Sequence, residues 1–386
     1  MEDVAALPVG FERFHRQPFL NYQLNRAHGL GFARPADLRL AAARISRTAE
    51  APRVFDALSA QAEAEERLRN ATSYLRLAEF FTPPDSVERI GRYRRYRRLF
   101  DAAFAGLGFA RHEVPYADGA LPAYRWPTTG PSRGTVLVHG GFDSLIEEFF
   151  VIWQRIAAAG FEVVAFEGPG QGGARRLSGL GFDHDWEKPV AAILDHFGLA
   201  SAGIVGLSMG GYWALRAAAK EPRISRAVAW PPVYDWLQQV PGPVRPALRV
   251  MLARRGFMRQ SVRLRARLFP ALGFVVGQAL YNLDRDDPMD AVDWFLGMNA
   301  EHLGSDRITQ DVLLLCGEHD TFQPPVLTRA QAEALVSARS VTVRVFTGAE
   351  HADQHCQLGN LDLACRVLTD WLRSPGPGSG TAADGG

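Results

Sequence analysis

Cysteine is scarce in this chain of 386 residues: there are three, Cys316, Cys356 and Cys365. Their odd number and scattered spacing exclude a disulfide framework and a thiolate metal cluster, and fit a reducing cytoplasm. Lysine is nearly absent, with only Lys188 and Lys220, so almost all of the 43 basic residues are arginine. Against 42 acidic side chains they leave a net charge of +1, and a chain so balanced has no global electrostatic pull towards nucleic acid or an anionic membrane. No apolar run approaches the ~20 residues of a membrane-spanning helix. Met1-Glu2-Asp3 opens no basic-then-apolar leader. These absences point to a cytoplasmic protein whose partner is a small molecule. The histidines and cysteines form no recognisable ligand set, and nothing in the sequence suggests a metal, a nucleotide or a flavin, so no cofactor is expected.

With 47% hydrophobic and 22% charged residues, the chain has core enough for one large folded unit or two. Residues 1–110 are rich in Ala, Arg and Glu, with apolar positions recurring at three and four, and predict a helical N-terminal module. The arginine-rich stretch 91–98 lies within it. There Ile90, Tyr93, Tyr96, Phe100 and Phe104 follow one another at spacings of 3, 3, 4 and 4, which makes a single apolar helix face with the arginines solvated or paired to acids. Beyond residue 110 the period changes. Two alternating runs, 112–116 and 121–126, flank Asp118-Gly119 and predict a hairpin. Short unalternated apolar runs follow at 135–138, 163–166, 202–205, 227–230, 312–315 and 341–346. Such runs suit strands buried on both faces, so the fold class expected for 111–373 is α/β, a mostly parallel sheet flanked by helices. The interval from about 231 to 306 keeps a helical period and lacks a strand, and predicts a helical lid insertion. The tail 374–386 has too few apolar residues to offset its ordering entropy and is expected to be disordered.

The sequence Gly206-Leu207-Ser208-Met209-Gly210-Gly211 follows one predicted strand and precedes a predicted helix. At such a strand-to-helix turn a serine is presented in a strained conformation, and small residues two before and two after it prevent collision with neighbouring chain. The helix amino end lets the Met209 amide help hold a developing oxyanion. A serine hydroxyl is a poor nucleophile near neutrality, so the reading requires a histidine base and an acid that orients it. Both are sought after later strands. The turn Cys316-Gly317-Glu318-His319-Asp320 supplies Asp320, with Glu318 as competitor. The turn Thr347-Gly348-Ala349-Glu350-His351-Ala352-Asp353-Gln354-His355 supplies His351 or His355, which spacing alone does not separate. His139-Gly140-Gly141-Phe142 is the second oxyanion loop, through the amide of Phe142 or Gly141, with His139 itself structural. Glu147 and Glu148 start the next helix or touch a polar substrate. Glu167-Gly168-Pro169-Gly170-Gln171-Gly172-Gly173 lacks the lysine and Ser/Thr of a nucleotide loop and reads as a tight turn beside the site.

These motifs resemble the α/β-hydrolase superfamily over residues from about 112 to 373. A finer resemblance rests on the stretch 69–81, on Gly141-Phe142-Asp143-Ser144 with Glu147-Glu148, on Glu167-Gly168-Pro169-Gly170-Gln171-Gly172, and on His355-Cys356-Gln357. It is to a subgroup that includes 2,6-dihydroxypseudooxynicotine hydrolase and fungal polyketide chain-shortening hydrolases; esterases are similar at this level. The subgroup implies cleavage of a carbon-carbon bond beside a ketone, and its histidine stands before a cysteine, which favours His355. The expected catalytic set is then Ser208, Asp320 and His355, with Met209 and Phe142 as oxyanion donors. Asp235 is a helper or the cap of the lid's first helix. The lid residues Met251, Leu252, Phe257, Met258, Phe269, Phe274, Trp294, Phe295 and Met298 offer apolar surface, with Trp294 and Met298, together with Asp235, taken as substrate contacts. The expected substrate is an apolar or aromatic ketone or ester. An acyltransferase or cyclase using the same three residues is the second reading, and a non-catalytic binding protein, dimerising through its N-terminal helices, the third.

Overall fold

The computed structural model describes residues 6–84, 86–128 and 130–374. Eight strands form one sheet: β1 (Ala110–Tyr116), β2 (Gly119–Trp126), β3 (Thr135–His139), β4 (Glu162–Phe166), β5 (Ala202–Leu207), β6 (Ile224–Trp230), β7 (Asp311–Gly317) and β8 (Ser340–Phe346). Their spatial order is β1-β2-β4-β3-β5-β6-β7-β8. β1 and β2 pair antiparallel, β2 joins β4 antiparallel, and every other pairing is parallel. The runs of β4, β5, β6 and β7 occupy the interior, and every residue of β5 and of β7 is buried. The run 341–346 does not: it lies in the edge strand β8, where Val343 and Val345 are exposed and only Phe346 is buried. Helices cover both faces, as parallel strands with two apolar faces require. One apolar layer packs Trp186, Trp213 and Leu314 on one side. The other packs Trp153, Val205 and Leu313 on the opposite side.

The hairpin turn falls one residue before Asp118-Gly119. Tyr116 pairs with Gly119, so the two loop residues are Ala117 and Asp118, and Ala117 takes the positive φ of 48° that a tight hairpin needs. After β8, Cys356 and Gln357 are both left-handed, at φ 52° and 53°, and the last helix starts at Leu361, with Asn360 capping Leu363. Residues 375–386 of the expected disordered tail lie outside the described residues.

β3 lies between β4 and β5, so the chain leaves it in one direction along the sheet and returns on the other side. Crevices at such switch points, beyond the carboxyl ends of the strands, are where open α/β sheets bind ligands. Between β6 and β7 the described chain is helical, with Arg245–Ala253, Arg255–Leu268, Pro270–Leu283 and Pro288–Gly297 as its longer pieces.

The N-terminal helices Pro18–Gly29, Pro35–Ala43, Ala51–Ala64, Leu68–Phe81 and Val87–Ala103 build a core of their own around Phe55, Tyr74 and Leu75. Tyr93, Tyr96, Phe100 and Phe104 are buried, while Arg92 pairs with Asp56 and Arg95 with Glu63. Buried charge ties these helices to the sheet. Glu79, fully buried, receives Arg76 at 2.7 Å, Arg89 at 2.8 Å and Arg176 at 2.6 Å, the last from beyond β4. Arg76 also bonds Glu148 at 2.7 Å, and Arg97 reaches Glu147 at 3.2 Å. Burial alone would raise the Glu79 pKa; the three guanidinium charges outweigh it and hold the carboxyl well below its ordinary range.

Removing one member of such a cluster leaves desolvated charge without a counter-ion. Glu79→Gln is expected to lower unfolding stability by about 3–5 kcal/mol. Denaturant unfolding at neutral pH measures it, and a loss under about 1 kcal/mol, the range of an exposed pair, would contradict the role given to Glu79.

Candidate active site

Ser208 sits between the end of β5 and helix Gly210–Lys220 with φ of 57°, a left-handed conformation that non-glycine residues rarely adopt. Steric crowding dictates its neighbours. A Cβ on Gly206 would stand 2.0 Å from the Gly210 carbonyl oxygen, one on Gly210 2.5 Å from the Gly140 oxygen, and one on Gly211 2.1 Å from the Pro231 oxygen. The Ser208 amide donates to the Trp230 carbonyl at 2.6 Å, which fixes the turn to the end of β6.

The Ser208 hydroxyl lies 2.8 Å from His355 Nε2, and His355 Nδ1 lies 2.7 Å from Asp320 Oδ2. The other Asp320 oxygen accepts the amides of Phe322 and Gln323 at 2.9 and 2.8 Å. Both Asp320 and His355 are buried. His351 is exposed, as is Glu318, which accepts the Gly348 amide instead. Trp230 anchors the histidine turn too: its indole donates to Gln357, and Cys356 Sγ lies 3.6 Å from its carbonyl oxygen. The turns carrying Ser208 and His355 therefore share one reference residue. Burial opposes a charged imidazolium at His355, but the sulfur of Cys356 and the carboxylate of Asp320 outweigh it and push the pKa well above the ordinary imidazole value.

The loop after β3 lies against this turn. A Cβ on Gly141 would meet the Leu207 oxygen, the Met209 nitrogen and Ser208 Cβ, each at 2.9 Å, so only glycine permits the approach. The Gly141 amide is spent on Ser144 Oγ at 2.9 Å, whereas among the described residues no acceptor is bonded to the Phe142 amide. The carbonyls of Gly140 and Gly141 accept from Gln171 Nε2 at 2.7 and 3.0 Å, and Gln171 Oε1 accepts the Gly168 amide. The glycine-rich turn after β4 is thus the brace of this loop. The Met209 amide faces Gln323: with the carboxamide oriented to satisfy both neighbours, Gln323 oxygen accepts from Met209 at 3.2 Å and its nitrogen donates to the Pro231 carbonyl at 3.3 Å. Gln171 and Gln323 escape a reading of motifs, because their roles depend on contacts between separate loops. His139 is fully buried between Phe166 and Trp186, and burial pushes its pKa down to about 4, which leaves it uncharged and structural.

These groups open into a cavity of about 370 Å³. Its floor holds Ser208, Met209, Phe142 and His355; one wall is Phe19, Tyr22 and Arg26 from the N-terminal helix Pro18–Gly29, and another Trp236, Phe274 and Phe295 from the insertion. The Tyr22 ring lies 6.4 Å from that of His355 and 5.1 Å from Phe322. Burial raises the Tyr22 pKa well above its ordinary value, so the phenol stays protonated. Arg26 is held by Asp143 and Glu148, each at 3.0 Å.

Three expected substrate contacts do not reach this cavity. Trp294 stacks on His184 and Phe182, with ring centroids 4.7 and 5.2 Å away. Met298 is fully buried, its carbonyl bonded to the Trp236 amide. Asp235 caps the turn Trp236–Gln239 through the Leu237 amide. Of the insertion residues singled out in the sequence, Phe274 and Phe295 line the cavity, while Met251, Phe257 and Phe269 face solvent. Helical periodicity identifies apolar residues without separating the three surfaces a helix divides among core, cavity and solvent. Glu147 and Glu148 begin the turn Ile146–Phe149 and serve the arginines of the N-terminal helices.

The alpha/beta hydrolase family matches residues 135–358, more than half of the chain, and the chain belongs to that family. It is 33% identical over 196 residues to the hydrolase acrC of Aspergillus aculeatus, covering 43% of this chain and 46% of that protein. It is 36% identical over 151 residues to the hydrolyase poxO of Penicillium oxalicum, covering 35% of this chain and 36% of that one. The chain thus matches less than half the length of either relative. Among solved structures it resembles 2,6-dihydroxy-pseudo-oxynicotine hydrolase, with TM-score 0.62 and 20% identity over 90% of this chain and 94% of that one. It also resembles AbyA5, with TM-score 0.67 and 21% identity over 87% and 89%. These two likenesses are of fold. Among the described residues no group of His, Cys, Asp and Glu is arranged to hold a metal ion, and no helix is long and apolar enough to cross a membrane.

The electrostatics of His355 yield a direct expectation. NMR titration of its imidazole should give a pKa well above 6.5, and Asp320→Asn, which removes the carboxylate and leaves the burial, should lower it. A wild-type value at or below 6.5 would contradict the assigned balance.

Proposed function

We propose that the chain is a serine-dependent hydrolase that cleaves a carbon-carbon bond beside a ketone in an aromatic or polyketide-like substrate. The observation that carries this reading is the continuous hydrogen-bonded series Ser208, His355, Asp320 opening into an apolar cavity. His355 takes the proton as Ser208 attacks the carbonyl, and Asp320 holds the tautomer and stabilises the imidazolium. The oxyanion is received by the amides of Met209 and Phe142, the substrate oxygen replacing that of Gln323 on Met209. Collapse expels an enolate or an aryl carbanion equivalent, and His355 returns the proton to that carbon. Water then frees the acyl group from Ser208.

Several features support the substrate class. The cavity is walled by Phe19, Phe142, Phe274, Phe295 and Phe322, with Tyr22, Gln23, Arg26, Asp143 and Gln278 among its polar minority, a composition suited to a planar, oxygen-bearing hydrophobic molecule. The motif resemblance to the subgroup of 2,6-dihydroxypseudooxynicotine hydrolase, His355-Cys356-Gln357 above all, is what favours carbon-carbon cleavage over ester hydrolysis. Carboxylester or thioester hydrolysis, and acyl transfer or cyclisation, use the same three residues and differ in leaving group or acceptor. In this reading the helices between β6 and β7 act as a lid, and the free thiols of Cys316, Cys356 and Cys365 suit a cytoplasmic enzyme.

Incubation with a panel of aryl ketones, β-diketones and aryl esters, with products identified by mass, tests both activity and bond. Wild type is expected to cleave a ketone between the carbonyl and its α-carbon or aryl carbon. Ser208→Ala is expected to lose at least about 10³-fold in kcat; undiminished turnover in that variant would overturn the mechanism.

A further inference from the structure

The even charge of the whole chain conceals a local imbalance. Residues 236–283 contain eight arginines and neither aspartate nor glutamate. Arg255 and Arg259 find acids at Asp293 and Asp287, whereas Arg249, Arg254, Arg263, Arg265 and Arg267 have no ion-pair partner among the described residues. The same helices hold large apolar side chains in solvent, with Phe257 67%, Leu264 57% and Leu268 64% exposed.

The arrangement is ordered. Along helix Arg255–Leu268, at 3.6 residues per turn, Phe257, Leu264 and Leu268 fall within about 20° of one line. Met258, Val262 and Ala266 turn inward. Arg265 flanks the exposed line on one side, and Arg263 and Arg267 flank it on the other. Past Leu268 the exposed apolar side chains continue as Phe269, Leu272 and Val275, and Val275 with Phe274 lines the cavity above Ser208. An apolar stripe with cationic edges therefore runs from the outer face of the insertion to the mouth of the site.

We propose that the helices of residues 245–283 seat on an anionic lipid surface, from which an apolar substrate enters the cavity past Leu272 and Val275. Apolar side chains at this spacing enter the boundary between headgroups and acyl chains, while guanidinium groups on long stems reach back to lipid phosphates. A second copy of the chain fits less well, because a two-fold contact would set Arg263, Arg265 and Arg267 against their own equivalents. The binding half of the proposal is independent of the hydrolase reading; the delivery half rests on it.

Flotation of the full chain with vesicles of phosphatidylcholine, with and without phosphatidylglycerol, tests the binding. The chain is expected to float with the anionic vesicles and to stay behind with the zwitterionic ones. Phe257→Asp with Leu264→Asp, and separately Arg263→Ala with Arg265→Ala and Arg267→Ala, should each weaken anionic binding at least about tenfold while leaving the thermal unfolding transition in place. Absence of flotation with anionic vesicles, or flotation unaltered by both sets, overturns the proposal. So does light scattering that finds a dimer dissociated by Phe257→Asp, which would assign the stripe to self-association. For delivery, turnover of a sparingly soluble aryl ketone should rise on adding anionic vesicles in wild type and not in the arginine variant. Equal turnover with and without vesicles overturns that half, whereas no turnover under any condition counts against the hydrolase reading and leaves the flotation result standing.

Discussion

The site depends on steric exclusion at one backbone turn. Ser208 is held left-handed because Gly206, Gly210 and Gly211 let three segments of chain approach more closely than any side chain would allow, and because the Trp230 carbonyl receives its amide. Relaxing that turn would withdraw the hydroxyl from His355 and turn the Met209 amide away from the cavity. Strain at a single residue persists only where its surroundings over-determine it. Here the surroundings are the ends of β5 and β6, the loop after β3 braced by Gln171, and the turn at Cys356 and Gln357 referenced to the Trp230 indole.

A second layer of organisation is electrostatic. Glu79, Glu147 and Glu148 are buried carboxylates met by arginines from several elements, and they lock the N-terminal helices onto the sheet and the insertion. Arg89 extends the connection by donating to Gln278, a residue of the cavity wall, at 3.0 Å. The helix Pro18–Gly29 thereby becomes a wall of the cavity that carries Tyr22 and Arg26. The family match begins at residue 135, so part of the chemistry facing a ligand comes from outside the matched segment.

The sheet was legible in the sequence because parallel strands buried on both faces leave apolar runs, and each expected run became a strand; only 341–346, at the edge of the sheet, lacks the burial expected of it, since no strand covers β8 on its far side. The turn at Ser208 was legible because glycine is dictated there by contact distance. Choosing between His351 and His355 was not possible from spacing: both follow β8, and what separates them is the left-handed turn at Cys356 and Gln357, fixed by a tryptophan more than a hundred positions earlier. The cavity lining was the least legible part. Trp294, Met298 and Asp235 carry apolar or acidic side chains suited to a substrate, yet their partners, His184, the Trp236 amide and the Leu237 amide, are set by packing within the insertion. Gln171 stood inside a recognised motif and Gln323 shortly after Asp320, but the role of neither was legible, since a glutamine bridging loops looks like any surface glutamine until the loops meet. The arginine imbalance of residues 236–283 was present in the sequence but masked by the acids that follow it between 284 and 306.

The central claim is that the Ser208 hydroxyl is an activated nucleophile. Treatment with a fluorophosphonate, followed by peptide mass spectrometry, tests it without knowledge of the substrate. The account predicts stoichiometric modification confined to Ser208, and loss of that modification when His355 is replaced by alanine. An unmodified Ser208 under conditions that label other serine hydrolases, or equal labelling with and without the imidazole, would contradict it.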